Sequence, residues 1–224
     1  MPAGGPRLFS ATSALRLHVT GAQETGGKDT PDGTGRKSVN PSPMNQRFYR
    51  RILYGWLGFS EVVTEPRPKK YIIVMAPHTS NWDFIIGNLY SRAEGFRCNF
   101  LIKREWFFWP MGKLMRRMGG IPVYRDKQMG TTDRLALLAR KSRTFHLCIT
   151  PEGTRKPNSE WKLGFYYIAL KAGLPILLYG LDYRERKIEC TKTIIPNGDV
   201  EGQMAEIKGY FARFVARKPE NFAI

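Results

Sequence analysis

Short apolar runs and amphipathic stretches alternate along this chain from about residue 70 onward. Runs such as Tyr71-Ile72-Ile73-Val74-Met75-Ala76 and Ile176-Leu177-Leu178 show no polar alternation, the pattern of strands covered on both faces. This reading predicts strands near 71–76, 98–103, 121–124, 145–150, 175–182 and 186–191. Helices near 80–93, 110–118, 131–141 and 163–172 lie between them, the last stopped by Gly173 as a C-terminal cap. A terminal helix near 202–216 sets Met204, Ile207, Phe211 and Phe214 on one stripe. The alternation predicts an α/β fold, a single domain over 70–220 with a largely parallel twisted sheet flanked by helices.

Two segments precede that domain. Residues 1–44 are rich in Gly, Pro, Ser and Thr and poor in large apolar side chains, so a disordered N-terminal extension is expected. Arg7 and Arg16, with no acid before Glu24, leave a targeting segment open, but Met44 is preferred as the true start. From 45 to 59 a helical wheel puts Phe48, Tyr49, Ile52, Leu53, Trp56 and Phe59 on one face. Arg47, Arg50 and Arg51 lie opposite. An N-terminal amphipathic helix of this kind either lies on an anionic membrane or docks on the core. Glu65-Pro66-Arg67-Pro68-Lys69-Lys70 follows as a stiff linker, so 45–69 is helix and linker.

Composition narrows the partners. With 36 basic and 19 acidic side chains the net charge is +17, which favours an anionic partner: a lipid surface, a phosphorylated substrate or nucleic acid. Cys98, Cys148 and Cys190 are far apart and match neither a disulfide framework nor zinc spacing, which fits a reducing compartment and no metal. No apolar stretch reaches the ~20 residues that span a bilayer, so membrane contact is expected to be peripheral. Neither a P-loop nor a dinucleotide fingerprint is present, and no cofactor is expected.

The chemistry-bearing residues cluster where strands are expected to end. His78-Thr79-Ser80-Asn81-Trp82-Asp83 follows the first long apolar run. An imidazole there can take a proton from an alcohol, and a carboxylate can fix its tautomer. The two meet only if His78 sits in a loop and points back over the helix start, because positions five apart do not share a helix face. Ser80 to Asp83 is also a capping-box pattern, so Asp83 can serve as cap and orienter together. Thr150-Pro151-Glu152-Gly153-Thr154-Arg155 follows another apolar run, and Arg125 follows the short strand of Gly119-Gly120-Ile121-Pro122-Val123-Tyr124. In open α/β sheets that edge is where ligands bind.

This ordered set resembles the glycerolipid acyltransferase family typified by 1-acyl-glycerol-3-phosphate acyltransferase. The resemblance runs from about Tyr71 to Leu178, with H-x-x-x-x-D and P-E-G-T-R its specific blocks. Thr150 replaces the usual aromatic before Pro151, Tyr124 stands where an acid is common, and the last block has Pro175 but no second proline. The resemblance implies His78 as general base and Asp83 as its orienter. It also implies Arg125 and Arg155 as phosphate ligands, which suits the forked guanidinium. Glu152, Gly153, Thr154 and Lys103 are further substrate-binding candidates. Glu152 is expected to orient Arg155, contact a glycerol hydroxyl or shape a turn, and amides near Ser80 to stabilise the oxyanion.

The resulting expectation is acyl transfer from acyl-CoA or acyl carrier protein to a lysophospholipid, 1-acyl-glycerol-3-phosphate, giving phosphatidic acid. The enzyme would sit on an anionic phospholipid surface, peripheral on the cytoplasmic, inner face of the cell membrane. The aromatic run Trp106-Phe107-Phe108-Trp109 would form core or a membrane-facing rim. An acyl-amino-acid lipid or another lysolipid is the alternative acceptor. The outside alternative is a non-catalytic basic protein binding membrane or nucleic acid, although no nucleic acid is expected because no RNA-binding or helix-turn-helix signature occurs.

Overall fold

A computed structural model describes residues 43–123 and 130–224, apart from the side chains of Pro43, Lys103, Trp106 and Val123. The strands are β1 (Ser60–Val63), β2 (Lys70–Ala76), β3 (Asn99–Lys103), β4 (Gly120–Val123), β5 (Phe145–Ile149), β6 (Ile176–Asp182), β7 (Lys187–Cys190) and β8 (Thr193–Ile194). They form one sheet in the order β1-β7-β6-β2-β5-β3-β4, with β8 pairing beside β6. Pairing is parallel throughout except where β7 and β8 run antiparallel to β6. The fold is therefore the expected α/β sheet flanked by helices.

The period-two alternation of β2 divides the core. Ile72, Val74 and Ala76 face a cluster with Phe165, Ile168, Ile207 and Phe211, carried by α5 (Gly164–Ala172) and α6 (Val200–Phe211). α4 (Thr131–Lys141) adds Leu135 and Ala139 to that cluster. Tyr71 and Ile73 face the other way, towards Ile86 and Tyr90 of α2 (Asn81–Ala93). Each fully buried aliphatic side chain contributes about 1.5–3 kcal/mol, so both faces stabilise the sheet. α6 ends at Phe211, short of the expected 216, yet Phe214 still enters the core. Its ring lies over Gly180 of β6, where any Cβ would overlap it.

The N-terminal segment departs from the single helix expected over 45–59. α1 (Pro43–Arg50) runs into a π-helical turn, Arg51–Trp56, and the wider turn breaks the regular wheel. Leu53 and Phe59 are buried, while Phe48 is 61% and Trp56 80% exposed. Arg50 pairs with Glu94, Tyr54 shares that carboxylate, and Arg92 donates to the Tyr49 hydroxyl. One of the three arginines expected to face outward is thus held in an ion pair. The segment braces α2 and leaves two large aromatics outside. The expected extension before Pro43 lies outside the described residues.

β1 and β8 have no counterpart among the expected strands. β1 is a short edge strand, parallel to β7, and three of its four residues are exposed, so it carries no apolar run. α3 (Met111–Arg117) follows the expected aromatic run, of which Phe108 is 57% and Trp109 88% exposed. No helix among the described residues is long and apolar enough to cross a membrane.

Candidate active site

β2 and β5 are neighbours in parallel, with Val74 opposite Ile149, so the loops that follow them lie side by side. His78 is on the first loop and Glu152 on the second. The His78 N–H donates to Glu152 Oε1 at 2.7 Å and ties the loops together. Glu152 also lies in the turn that the Gly153 N–H closes on the Thr150 carbonyl at 3.2 Å, one of the roles expected of it, and the bond to His78 is an added one. The partner is a backbone group, which no side-chain pattern announces.

Asp83, in the first turn of α2, is fully buried. The N–H groups of Thr79 and Ser80 both donate to its Oδ2 at 2.7 Å. Its Oδ1 accepts from Ser80 Oγ at 3.0 Å and from the Tyr183 hydroxyl at 2.6 Å. Burial alone would raise this carboxyl, but His78, Tyr183 and Ser80 together hold it below its ordinary value. Asp83 is therefore an anion at neutral pH, both cap and neighbour of the imidazole. The two amides that it takes cannot also serve an oxyanion, so that expected role of the Ser80 region is not available from Thr79 or Ser80.

His78 Nδ1 faces Asp83 Oδ2 at 3.5 Å and has no closer partner. At that distance the contact is an electrostatic alignment on the edge of hydrogen-bond range. Nδ1 is buried while the side chain keeps 18% exposure, so the open part of the ring lies away from Asp83. A proton can thus be exchanged with a ligand on one side while the carboxylate stabilises the imidazolium from the other.

Glu152 behaves differently. Burial raises its carboxyl to about 7, against the lowering pull of the His78 N–H and imidazole, and the Asp83 charge adds to the rise. Asn158 Nδ2 donates to the Glu152 and Glu160 carbonyls and shapes the loop from within. Gly153 has φ of 67°, the left-handed region that favours glycine, and packs close to Lys162. Thr154 Oγ1 accepts from the Lys156 N–H, a local turn contact.

Arg155 is exposed and donates to Asn81 Oδ1 at the start of α2. Its guanidinium therefore lies beside the helix turn that carries Asp83. Lys103 ends β3 in register with Val123, at the same edge of the sheet, but its side chain lies outside what the structure describes. Arg125 also lies outside the described residues. The phosphate pair expected of Arg125 and Arg155 thus has one described member.

Between α2 and the sheet lies an apolar cavity of about 70 Å³, walled by Met75, Phe84, Gly87, Tyr90, Cys148 and Tyr179 among others. Phe84, Gly87 and Tyr90 belong to α2, so the cavity lies beneath the helix whose first turn carries Asp83. Cys98 and Cys148 are partly buried and line this space. Pro175 is not among its lining residues; the β6 contribution comes from Tyr179 to Leu181. His146 stacks on Tyr71 at 4.5 Å and faces the Arg97 carbonyl.

Residues at the site that motif reading missed come from the far end of the chain. Tyr183 directly follows β6, so its place at a strand end was a usable signal. The Lys218 N–H donates to Thr79 Oγ1 at 3.2 Å, and the Arg217 guanidinium lies 5.0 Å from the centre of the Trp82 ring. Nothing in the local pattern of 212–218 marks these contacts.

No curated protein matches the sequence. Among solved structures the fold is similar to the crystal structure of the 1-acyl-sn-glycerophosphate acyltransferase PlsC from Thermotoga maritima. That likeness has 19% identity and a TM-score of 0.52, and covers 76% of each chain. The Acyltransferase family profile matches residues 60–178, more than half of the chain, and that interval holds His78, Asp83, Glu152 and Arg155. It removes the non-catalytic alternative: this chain belongs to the Acyltransferase family and is an acyltransferase.

Proposed function

We propose that the protein transfers a fatty acyl group from an acyl thioester, acyl-CoA or acyl carrier protein, to the hydroxyl of 1-acyl-glycerol-3-phosphate, giving phosphatidic acid. The observation that carries the reading is the His78–Asp83 pair with the exposed Arg155 at the same helix start, on a helix whose later turns cover an apolar cavity. His78 takes the acceptor's proton as the oxygen attacks the thioester carbonyl. Asp83 stabilises the imidazolium that forms. Collapse of the tetrahedral intermediate expels the thiolate, which accepts a proton from the imidazolium or from solvent. Arg155, with Arg125, binds the acceptor phosphate through paired N–H donors. The cavity between α2 and the sheet receives part of an acyl chain.

The same reading places the enzyme peripherally on an anionic membrane. Phe48, Trp56, Phe108 and Trp109 are exposed aromatics of the kind that settle at a lipid interface, and the net charge is +17. The test offers lysophosphatidate, lysophosphatidylcholine and an acyl-amino-acid lipid in competition for one acyl-CoA, with lipid products identified by mass spectrometry. Preferential formation of phosphatidic acid is expected. Preference for the amino-acid lipid overturns the phosphate assignment, and absence of any acylated product overturns the reading.

A further inference from the structure

We propose that Tyr183 is a positioning residue, fixing the plane of the Asp83 carboxylate so that Oδ2 stays turned to His78. The inference rests on the reading of His78 as the base and adds to it a group outside the catalytic loop. Two of the donors to Asp83 are loop amides, and both bind Oδ2. A carboxylate held mainly at one oxygen can still turn about its Cβ–Cγ bond. Ser80 Oγ restrains Oδ1, but Ser80 belongs to the same loop and moves with it. Tyr183 reaches Oδ1 from the end of β6 and refers the carboxylate to the sheet itself.

Tyr183 is itself well seated. Its N–H donates to the Val215 carbonyl at 2.9 Å. Its ring meets Phe59 edge-on with centroids 6.0 Å apart. The Arg217 guanidinium lies 5.7 Å from the ring centre and also covers Trp82. Asp182, the preceding residue, accepts from the Val215 N–H at 3.0 Å, so the strand end and the segment after α6 are knitted together. The charged and titratable groups around the pair are Glu152 on the loop after β5, Arg155 through Asn81, Arg217 through the two rings, and Lys218 through its backbone contact with Thr79. Tyr183 is the neutral donor among them, and burial beside Asp83 keeps its hydroxyl protonated.

Two measurements on the full chain test this. The first needs no substrate: an NMR titration of the His78 ring nitrogens in wild type and Tyr183→Phe. Loss of the phenol leaves more negative charge on Asp83, which holds the proton on His78 more firmly. The titration midpoint is expected to rise by about half a pH unit. An unchanged midpoint overturns the proposal. The second is a double-mutant cycle in acyl transfer from acyl-CoA to lysophosphatidate. Tyr183→Phe is expected to lower kcat about tenfold with both KM values unmoved, the scale of one lost charge-assisted hydrogen bond. In an Asp83→Asn background the same change is expected to have little further effect. Equal losses in both backgrounds overturn a role exerted through Asp83. If Tyr183→Phe does not fold, 3-fluorotyrosine at 183 keeps the shape and strengthens the donor, and is expected to move the midpoint downward; no movement overturns the proposal. If wild type transfers no acyl group to lysophosphatidate while Tyr183→Phe still shifts the midpoint, Tyr183 stays assigned and the proposed acceptor is removed instead.

Discussion

Asp83 at the start of α2 and Glu152 after β5 are both buried carboxylates, and both touch His78. One faces its ring and the other takes its backbone N–H. Their electrostatic states nonetheless diverge. Asp83 has donors on both oxygens and stays below the ordinary carboxylate range, whereas Glu152 has the His78 N–H and is raised to about 7. Burial is common to the two, so the number of donors decides the charge. A loop that folds back on its own helix can supply many amides, and a side chain reaching across from the neighbouring strand meets few. The first arrangement keeps an anion behind the imidazole. The second holds two loops in register at a carboxylate that is neutral for part of the physiological range.

The largest break in this comparison should come at His78, the proposed base. His78→Ala is expected to cut turnover by at least ~10²-fold with the fold retained, measured as acyl transfer alongside circular dichroism. Near-normal turnover would remove the imidazole from the mechanism. Asp83→Asn should follow with a loss of similar order, because the amide cannot accept every donor around it or balance the imidazolium. Glu152→Gln should cost less than tenfold in turnover, since a Gln carbonyl can still accept the His78 N–H.

The two carboxylates should also leave opposite marks on the pH dependence of stability. Glu152 is raised when folded, so its stabilising contribution is full below about 4.5 and lost as pH climbs through about 7. Glu152→Gln is therefore expected to gain on wild type between pH 5 and pH 8, by up to about 3 kcal/mol in urea unfolding. Asp83 is lowered, so its contribution is present at neutral pH and is lost as pH falls below its ordinary range. Asp83→Asn should flatten the acid limb of the same curve. An equal gain for Glu152→Gln at both pH values would refute the contrast.

Smaller effects are expected beyond the pair. Arg155→Lys keeps the charge and loses the fork, and should raise the acceptor KM about tenfold while the donor KM stays. Gly87→Ala narrows the cavity, because a Cβ there would stand 3.1 Å from Met75 Sδ. A shift of a few fold towards shorter acyl donors is expected from one added methyl group.

Much of the frame was legible in the order of apolar runs. β2, β5 and β6 each bury enough side chains to interrupt the polar pattern, and the loops after β2 and β5 could be placed on one edge from parallel pairing alone. β1 could not, since its exposed residues pair through backbone groups that any sequence carries. The π-helical turn escaped because a regular wheel assumes a constant pitch. At the site, His78 and Asp83 are local and their meeting follows from loop geometry. The Glu152 contact is side chain to backbone and no motif announces it, while Tyr183, a hundred positions from Asp83, is marked only by its place after the β6 strand.

The segment after α6 that reaches Thr79 gives the site a particular history during synthesis. β2 is made early, but both of its neighbours in the sheet, β5 and β6, and the donors Tyr183 and Lys218 are made later. Contacts so distant in sequence form late and carry a loop-closure penalty. On a ribosome that has passed residue 93 the His78 loop and α2 exist as chain, but the carboxylate has no Tyr183 and the loop no Lys218. The full set of contacts around Asp83 and Thr79 is thus completed only when the polypeptide has emerged beyond α6.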